Sequence, residues 1–174
     1  QYITGMFAFG VWDQEKEILT IARDRTGEKP LFYSENSNSF IFASELNAFE
    51  NCNFTKTINQ EALNLFLAFS YVPSPYSIYN GINKLNAGHY IQYMNNKATK
   101  QIPYWSVEET LKDVQDNIID FSEEEICDIL NETLIKVIKN QSVADVPVGA
   151  FLSGGIDSST VVAIKQSISK EKIR

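Results

Sequence analysis

The chain changes its hydrophobic rhythm from front to back. At the front, short apolar runs are separated by polar turns: Met6-Phe7-Ala8-Phe9-Gly10-Val11-Trp12 and Ile18-Leu19-Thr20-Ile21-Ala22 flank the polar stretch 13–17. This spacing predicts two strands of a hairpin with a longer loop. A second hairpin is predicted where Leu31-Phe32-Tyr33 and Ser39-Phe40-Ile41-Phe42-Ala43 flank residues 34–38, whose asparagines tolerate turn geometry. Together they predict a mostly antiparallel sheet with Phe7, Phe9, Phe32, Phe40 and Phe42 on a buried aromatic face. The first apolar run begins almost at Gln1, which is not methionine, so the chain is expected to start inside a fold.

In the middle, Asn59-Gln60-Glu61 opens an apolar helix over 62–69, which Pro73 and Pro75 prevent from continuing. Strand signals return with Ile78-Tyr79, the turn Asn80-Gly81, the run 85–91 and a polar hairpin around Asn95-Asn96, ending at Tyr104-Trp105. Residues 106–120 mix charges with little apolar period and are expected to be an exposed linker holding the domain boundary. Ser122-Glu123-Glu124-Glu125 then reads as a capping box, with Phe121 and Ile126 as its hydrophobic staple. The helical stripe Ile126, Ile129, Leu130, Leu134, Val137 and Ile138 is expected to pack a core. The unbroken apolar run 146–152 suits a parallel strand covered on both faces, and a loop and another helix follow it. A strand, loop and helix of this kind begin an open α/β sheet, but one strand cannot close it, so most of that second domain is expected outside this sequence.

Composition narrows the partners. The 174 residues are 44% hydrophobic, as in a globular protein, and 15 basic against 22 acidic side chains leave a net charge of −7. Without a basic block or stripe, nucleic acid is excluded as the main partner, while small anions can still be bound by a local loop. No signal peptide or bilayer-length apolar run is visible, so the expected setting is the cytoplasm, with no membrane partner. Cys52 and Cys127 lack the number and spacing of a disulfide framework or metal site and read as ordinary thiols. His89, the single histidine, reads as a turn or surface residue beside Gly88, with no catalytic role. Glycosylation patterns at Asn53, Asn131 and Asn140 read as chance matches.

The candidate chemistry lies in Leu152-Ser153-Gly154-Gly155-Ile156-Asp157-Ser158-Ser159. Adjacent glycines let backbone approach an anion, hydroxyls supply short donors, and a helix start presents unpaired N–H groups with partial positive charge. Gly149 and Gly154 have the glycine spacing of the common nucleotide loop, but Gly155 stands where its lysine would be. A loop holding departing pyrophosphate fits better than one poised for γ-phosphoryl transfer. Asp157 beside that anion is accounted for by Mg²⁺, the favoured reading, or by capping of the helix.

S-G-G-x-D-S at Ser153–Ser158 resembles the ATP-pyrophosphatase loop of enzymes that adenylate a substrate. Independently, R-D-x-x-G-x-K-P-L-F-Y at 23–33 and F-A-S-E at 42–45 resemble the late part of the glutaminase domain of asparagine synthetases, in the same order. The run 78–105 is similar to the stretch that leads from that domain towards the synthetase domain. The resemblance implies an α+β chain: an antiparallel sheet remnant of an N-terminal-nucleophile glutaminase domain over 1–105, a linker over 106–121, and over 122–174 the first strand, loop and helix of a parallel α/β ATP-pyrophosphatase domain. It also implies ATP and Mg²⁺ as cofactors and aspartate with glutamine or ammonia as substrates, the homodimer being left open. Leu152, Ser153, Gly154, Gly155, Asp157, Ser158 and Ser159 would hold ATP and its pyrophosphate, and Asp157 the Mg²⁺. The family's cysteine nucleophile is expected upstream, since an internal Cys52 has no free α-amino group, and aspartate-binding residues are expected beyond Arg174. This polypeptide alone is accordingly expected to lack both full activities. Rival readings are a β-lactam-synthetase-like ligase with another acceptor and a non-catalytic binding scaffold.

Overall fold

The computed structural model describes residues 3–37, 39–50, 52, 56–115 and 121–173. The chain divides into a front unit, residues 1–116, and a back unit, residues 117–174.

In the front unit the two predicted hairpins form. Strands β1 (Ala8–Asp13) and β2 (Ile18–Arg23) pair antiparallel from Ala8 opposite Arg23 to Asp13 opposite Ile18. Their loop is held by the Asp13 carboxylate, which accepts N–H bonds from Glu15 and Lys16, both at 3.1 Å. Strands β3 (Phe32–Asn36) and β4 (Ser39–Ala43) pair from Phe32 opposite Ala43 to Asn36 opposite Ser39. The strand therefore runs further into the expected turn, and Asn36 Oδ1 accepts the Ser39 N–H at 2.9 Å; Asn38 lies outside the described residues.

A 3₁₀ turn (Leu46–Phe49) leads to α1 (Gln60–Phe69), whose start is capped by Asn59 Oδ1 accepting the Ala62 N–H at 3.1 Å. Then come β5 (Asn83–Lys84), β6 (His89–Met94), β7 (Lys97–Ala98), β8 (Ile102–Pro103) and α2 (Val107–Gln115). Asn95 and Asn96 turn β6 into β7 with φ of 50° and 59°, the two left-handed positions of a tight hairpin turn. Among the described residues one sheet runs β1-β2-β6, with β7 and β8 both pairing β6, and the other runs β4-β3-β5. All the named pairings are antiparallel.

Strand alternation separates two faces of the larger sheet. Ile21 and Ile91, directly opposite each other, point with Leu19 into a core shared with Leu31 and Leu85. Phe40 stacks on Tyr93 of the larger sheet and Tyr33 of its own, with centroids 4.9 and 5.9 Å apart. On the other face, Phe7, Phe9, Thr20, Ala22 and Tyr90 line an open apolar cavity of about 320 Å³. The aromatic-core expectation is thus corrected. Phe7, Phe9, Phe32 and Phe40 are half-buried and Phe42 is exposed; Phe40 packs against an aliphatic cluster of Ile21, Leu31, Leu85 and Ile91, and the wholly buried ring is Phe49 of the 3₁₀ turn.

The charged stretch 23–30 is not the ion-paired loop its composition suggests. Arg23 donates to the carbonyls of Lys29, Leu85 and Gly27 at 2.7, 2.7 and 2.6 Å. Asp24, 1% exposed, accepts N–H bonds from Phe7, Glu28 and Lys29 at 3.3, 2.9 and 2.9 Å. Burial pushes the Asp24 pKa up, but the N–H groups of Lys29, Glu28, Phe7 and Gly27 outweigh it and hold the carboxyl below its usual range. The ion pairs found among the described residues, Lys16 with Asp13 and Lys56 with Glu50, lie elsewhere and are exposed. His89 opens β6 rather than a turn, half-buried, with Nδ1 2.7 Å from the Ala87 carbonyl.

Where an exposed linker was expected, Val107–Gln115 is helical. Ser106 Oγ accepts the Glu109 N–H at 3.2 Å, Glu108 and Glu109 favour the helix start, and Val107, Leu111 and Val114 form a sparse stripe. Residues 116–120 of that linker lie outside the described residues, as does the Asn53 glycosylation match.

The back unit contains α3 (Glu123–Gln141) and α4 (Ile156–Ile168). The capping box forms: Ser122 Oγ accepts the Glu125 N–H at 3.3 Å, and the Glu125 carboxylate accepts the Ser122 N–H at 2.8 Å. The expected core stripe is corrected: Ile138 is buried and Leu134 half-buried, but Ile126, Ile129, Leu130 and Val137 are exposed. The run 146–152 forms no strand. An extended segment becomes a strand only by hydrogen bonding to a neighbour, and no described residue lies alongside it as one. No described helix is long and apolar enough to cross a membrane.

Candidate functional site

The loop between residue 152 and α4 is shaped by its own hydroxyls. Gly154 has φ +86°, a left-handed conformation suited to glycine, and a side chain built there would meet nothing within 4 Å. Gly155, with φ −79°, is the N-cap of α4 and needs no special conformation; its missing side chain leaves open the space before the helix start. Ser158 Oγ donates to the Gly155 carbonyl at 3.1 Å, accepts the Ser153 N–H at 3.3 Å and lies 2.9 Å from Ser153 Oγ. Ser153, Gly155 and Ser158 are therefore brought together, although Ser153 and Ser158 are five apart in sequence.

Leu152 and Asp157 are exposed beside this cluster, and Ser159 begins the helical ladder through its N–H to the Gly155 carbonyl at 3.1 Å. No side chain caps α4, so capping by Asp157, one of its two expected roles, is not realised. This start differs from those of α1 and α3, whose N–H groups are taken by Asn59 and Ser122. The open N–H groups and partial positive charge of α4 suit an anion approaching past Gly154 and Gly155. Among the described residues no cluster of three or more His, Cys, Asp or Glu side chains could hold a metal by itself. One exposed carboxylate fits a Mg²⁺ whose remaining ligands are phosphate oxygens and water.

A cavity of about 530 Å³ in the back unit does not include this loop; Lys139, Ser142, Val146, Lys165 and Lys172 are among its lining residues. Lys165 Nζ donates to Ser142 Oγ there at 3.1 Å. Cys52 is half-buried and Cys127 exposed, both as free thiols. The sequence pattern picked out the loop residues but missed the Ser153–Ser158 pairing, for which the only available signal was a serine at the third helical position, facing back to the cap.

Comparison with known proteins gives two family matches in sequence order: a glutamine amidotransferase domain over residues 1–105 and an asparagine synthase over residues 130–174. Similar proteins include a Methanocaldococcus jannaschii protein provisionally named glutamine-hydrolysing asparagine synthetase 2, 37% identical over 92% of this chain and 30% of the relative. The glutamine-hydrolysing asparagine synthetase 3 of Bacillus subtilis is 31% identical over 94% of this chain and 26% of its own length. The amidase chry2 of Gibberella zeae is 32% identical over 98% and 24%. The chain thus spans 24% to 30% of the length of these relatives. The match over residues 1–105 takes in more than half of the chain, the antiparallel front unit fits it, and the asparagine synthase match follows it in sequence: the chain belongs to the glutamine amidotransferase domain family.

Proposed function

We propose that the complete protein is a glutamine-dependent asparagine synthetase. The observation that carries this reading is the order of the two matches in one chain, an amidotransferase domain followed by an asparagine synthase. We assign residues 1–105 to the glutaminase-like portion, 106–121 to the linker and 122–174 to the start of a parallel α/β ATP-pyrophosphatase portion.

A carboxylate is a poor electrophile until one of its oxygens leaves readily. In this reading an aspartate side-chain oxygen attacks the α-phosphorus of ATP, and the bond to the β-phosphate breaks with release of pyrophosphate. Ammonia from glutamine then attacks the activated carbonyl and AMP departs, leaving asparagine. The loop's part is to stabilise the pyrophosphate as its charge develops. The α4 N–H groups and the backbone around Gly154 and Gly155 would face the phosphates, with Ser153, Ser158 and Ser159 beside them and Leu152 against the nucleotide. Mg²⁺ would neutralise phosphate charge, and Asp157 would hold it.

The test is aspartate-dependent pyrophosphate release from MgATP by the complete protein, with glutamine and ammonium in parallel. Release with both donors is expected. Release with ammonium alone would remove glutamine use, and no aspartate dependence would remove the acceptor. The similarity to a fungal amidase favours a second reading in that event: amide chemistry on an acceptor other than aspartate. The homodimer is tested by mass determination in solution.

A further inference from the structure

The two hydroxyls at the loop lie within hydrogen-bonding distance of each other. A serine hydroxyl carries one proton and two acceptor sites. Either hydroxyl can supply the proton in the 2.9 Å contact; when Ser158 gives its own to the Gly155 carbonyl while accepting the Ser153 N–H, Ser153 supplies it. Both hydroxyl protons are then turned into the loop. Ser153 presents only lone pairs outward, which repel a phosphate oxygen, while the open N–H groups of α4 attract one.

We propose that Ser153 and Ser158 form a latch that shapes the loop before the anion arrives, and that the anion opens it by drawing the Ser153 proton outward. Ser158 is the positioning residue: its bonds to the Ser153 N–H and the Gly155 carbonyl persist and keep the loop folded while Ser153 changes partner. No covalent bond changes. The proposal rests on the phosphate-loop reading for its ligand but not for the latch itself. One consequence follows from the shared bond. The two hydroxyls are energetically coupled, because removing Ser158 also removes the support that aims Ser153.

The experiment is a double-mutant cycle in the complete protein with Ser153→Ala, Ser158→Ala and the pair. It is read by calorimetric MgATP binding and by amide exchange of segment 153–158 without nucleotide. Ser158→Ala should speed exchange by roughly three- to tenfold, the worth of one or two modest hydrogen bonds, and Ser158→Thr should restore it. The double variant should bind MgATP no more weakly than the weaker single variant. Additive losses in binding would overturn the latch, as would exchange unchanged by Ser158→Ala. If the wild-type protein failed to bind MgATP, the phosphate-loop reading would fall, and the exchange measurement would still decide whether the latch exists.

Discussion

The front and back units use similarly apolar segments to opposite effect. In the front unit Ile21 and Ile91 face each other across paired strands and are wholly buried. In the back unit Phe151 is fully exposed, and the apolar residues around it on 146–152 are mostly open to solvent. Hydrophobicity does not separate the two; the location of each segment's hydrogen-bonding partner does. A hairpin carries its neighbour a few residues away, whereas a parallel strand must obtain one through a long crossover. The front unit holds a partner for each of its strands, in the β1–β2 and β3–β4 hairpins and in the longer-range pairing of β2 with β6, whereas the run 146–152 has none among the described residues.

The largest expected contrast comes from truncating one isoleucine in each unit. Ile91→Ala should cost the front unit about 2–5 kcal/mol of unfolding free energy, since it leaves a cavity among Ile21, Leu31 and Leu85. Ile129→Ala, on the exposed face of α3, should change stability by no more than about 0.5 kcal/mol. Urea unfolding of both variants checks this. Equal losses would mean that the α3 stripe is covered in solution.

Asp24 sharpens the contrast through pH. Its folded pKa is depressed, so its contribution is fully present above the unfolded carboxyl value near ~3.9 and is lost as pH falls through the lower folded value. Asp24→Asn should cost about 2–3 kcal/mol at neutral pH, because three backbone N–H groups lose a charged acceptor. It should also flatten the acid side of the stability profile. A profile whose acid slope is unchanged by the substitution would place the proton uptake elsewhere. Smaller again is Ser122→Ala, which removes one half of the capping box and should lower α3 helicity, seen by circular dichroism, with a cost of about 1 kcal/mol.

These positions also show what could be read in advance. The Ser122–Glu125 box and the Asn59 cap were legible because capping is a matter of side-chain type and spacing over four residues. The two hairpins were legible for the same local reason. Helix α2 was missed because Val107, Leu111 and Val114 give a three-point stripe inside a charged segment, too sparse to stand out. The roles of Arg23 and Asp24 were hidden because opposite charges in one loop suggest each other as partners, whereas both turn to backbone groups, some as far away as Phe7 and Leu85. At the candidate site the glycines and serines were visible in sequence, but the fold-back of Ser158 on Ser153 was not, since it depends on the path set by Gly154.

Phe151→Ser gives the smallest effect on this chain and bears most directly on the proposed second domain. The side chain is fully exposed, so its loss removes no buried apolar area, and the unfolding free energy of the back unit should stay within about 0.5 kcal/mol. If the run 146–152 is a parallel strand in the complete protein, the same substitution there places a hydroxyl in a strand covered on both faces. The expected cost then rises to about 2–4 kcal/mol, from lost burial together with an unsatisfied polar group. Paired denaturation of the two polypeptides, each with and without the substitution, reads the difference directly. A small effect in both would remove the parallel strand from the proposed fold, while leaving the loop at Ser153 and the family match intact, because neither depends on the packing of Phe151.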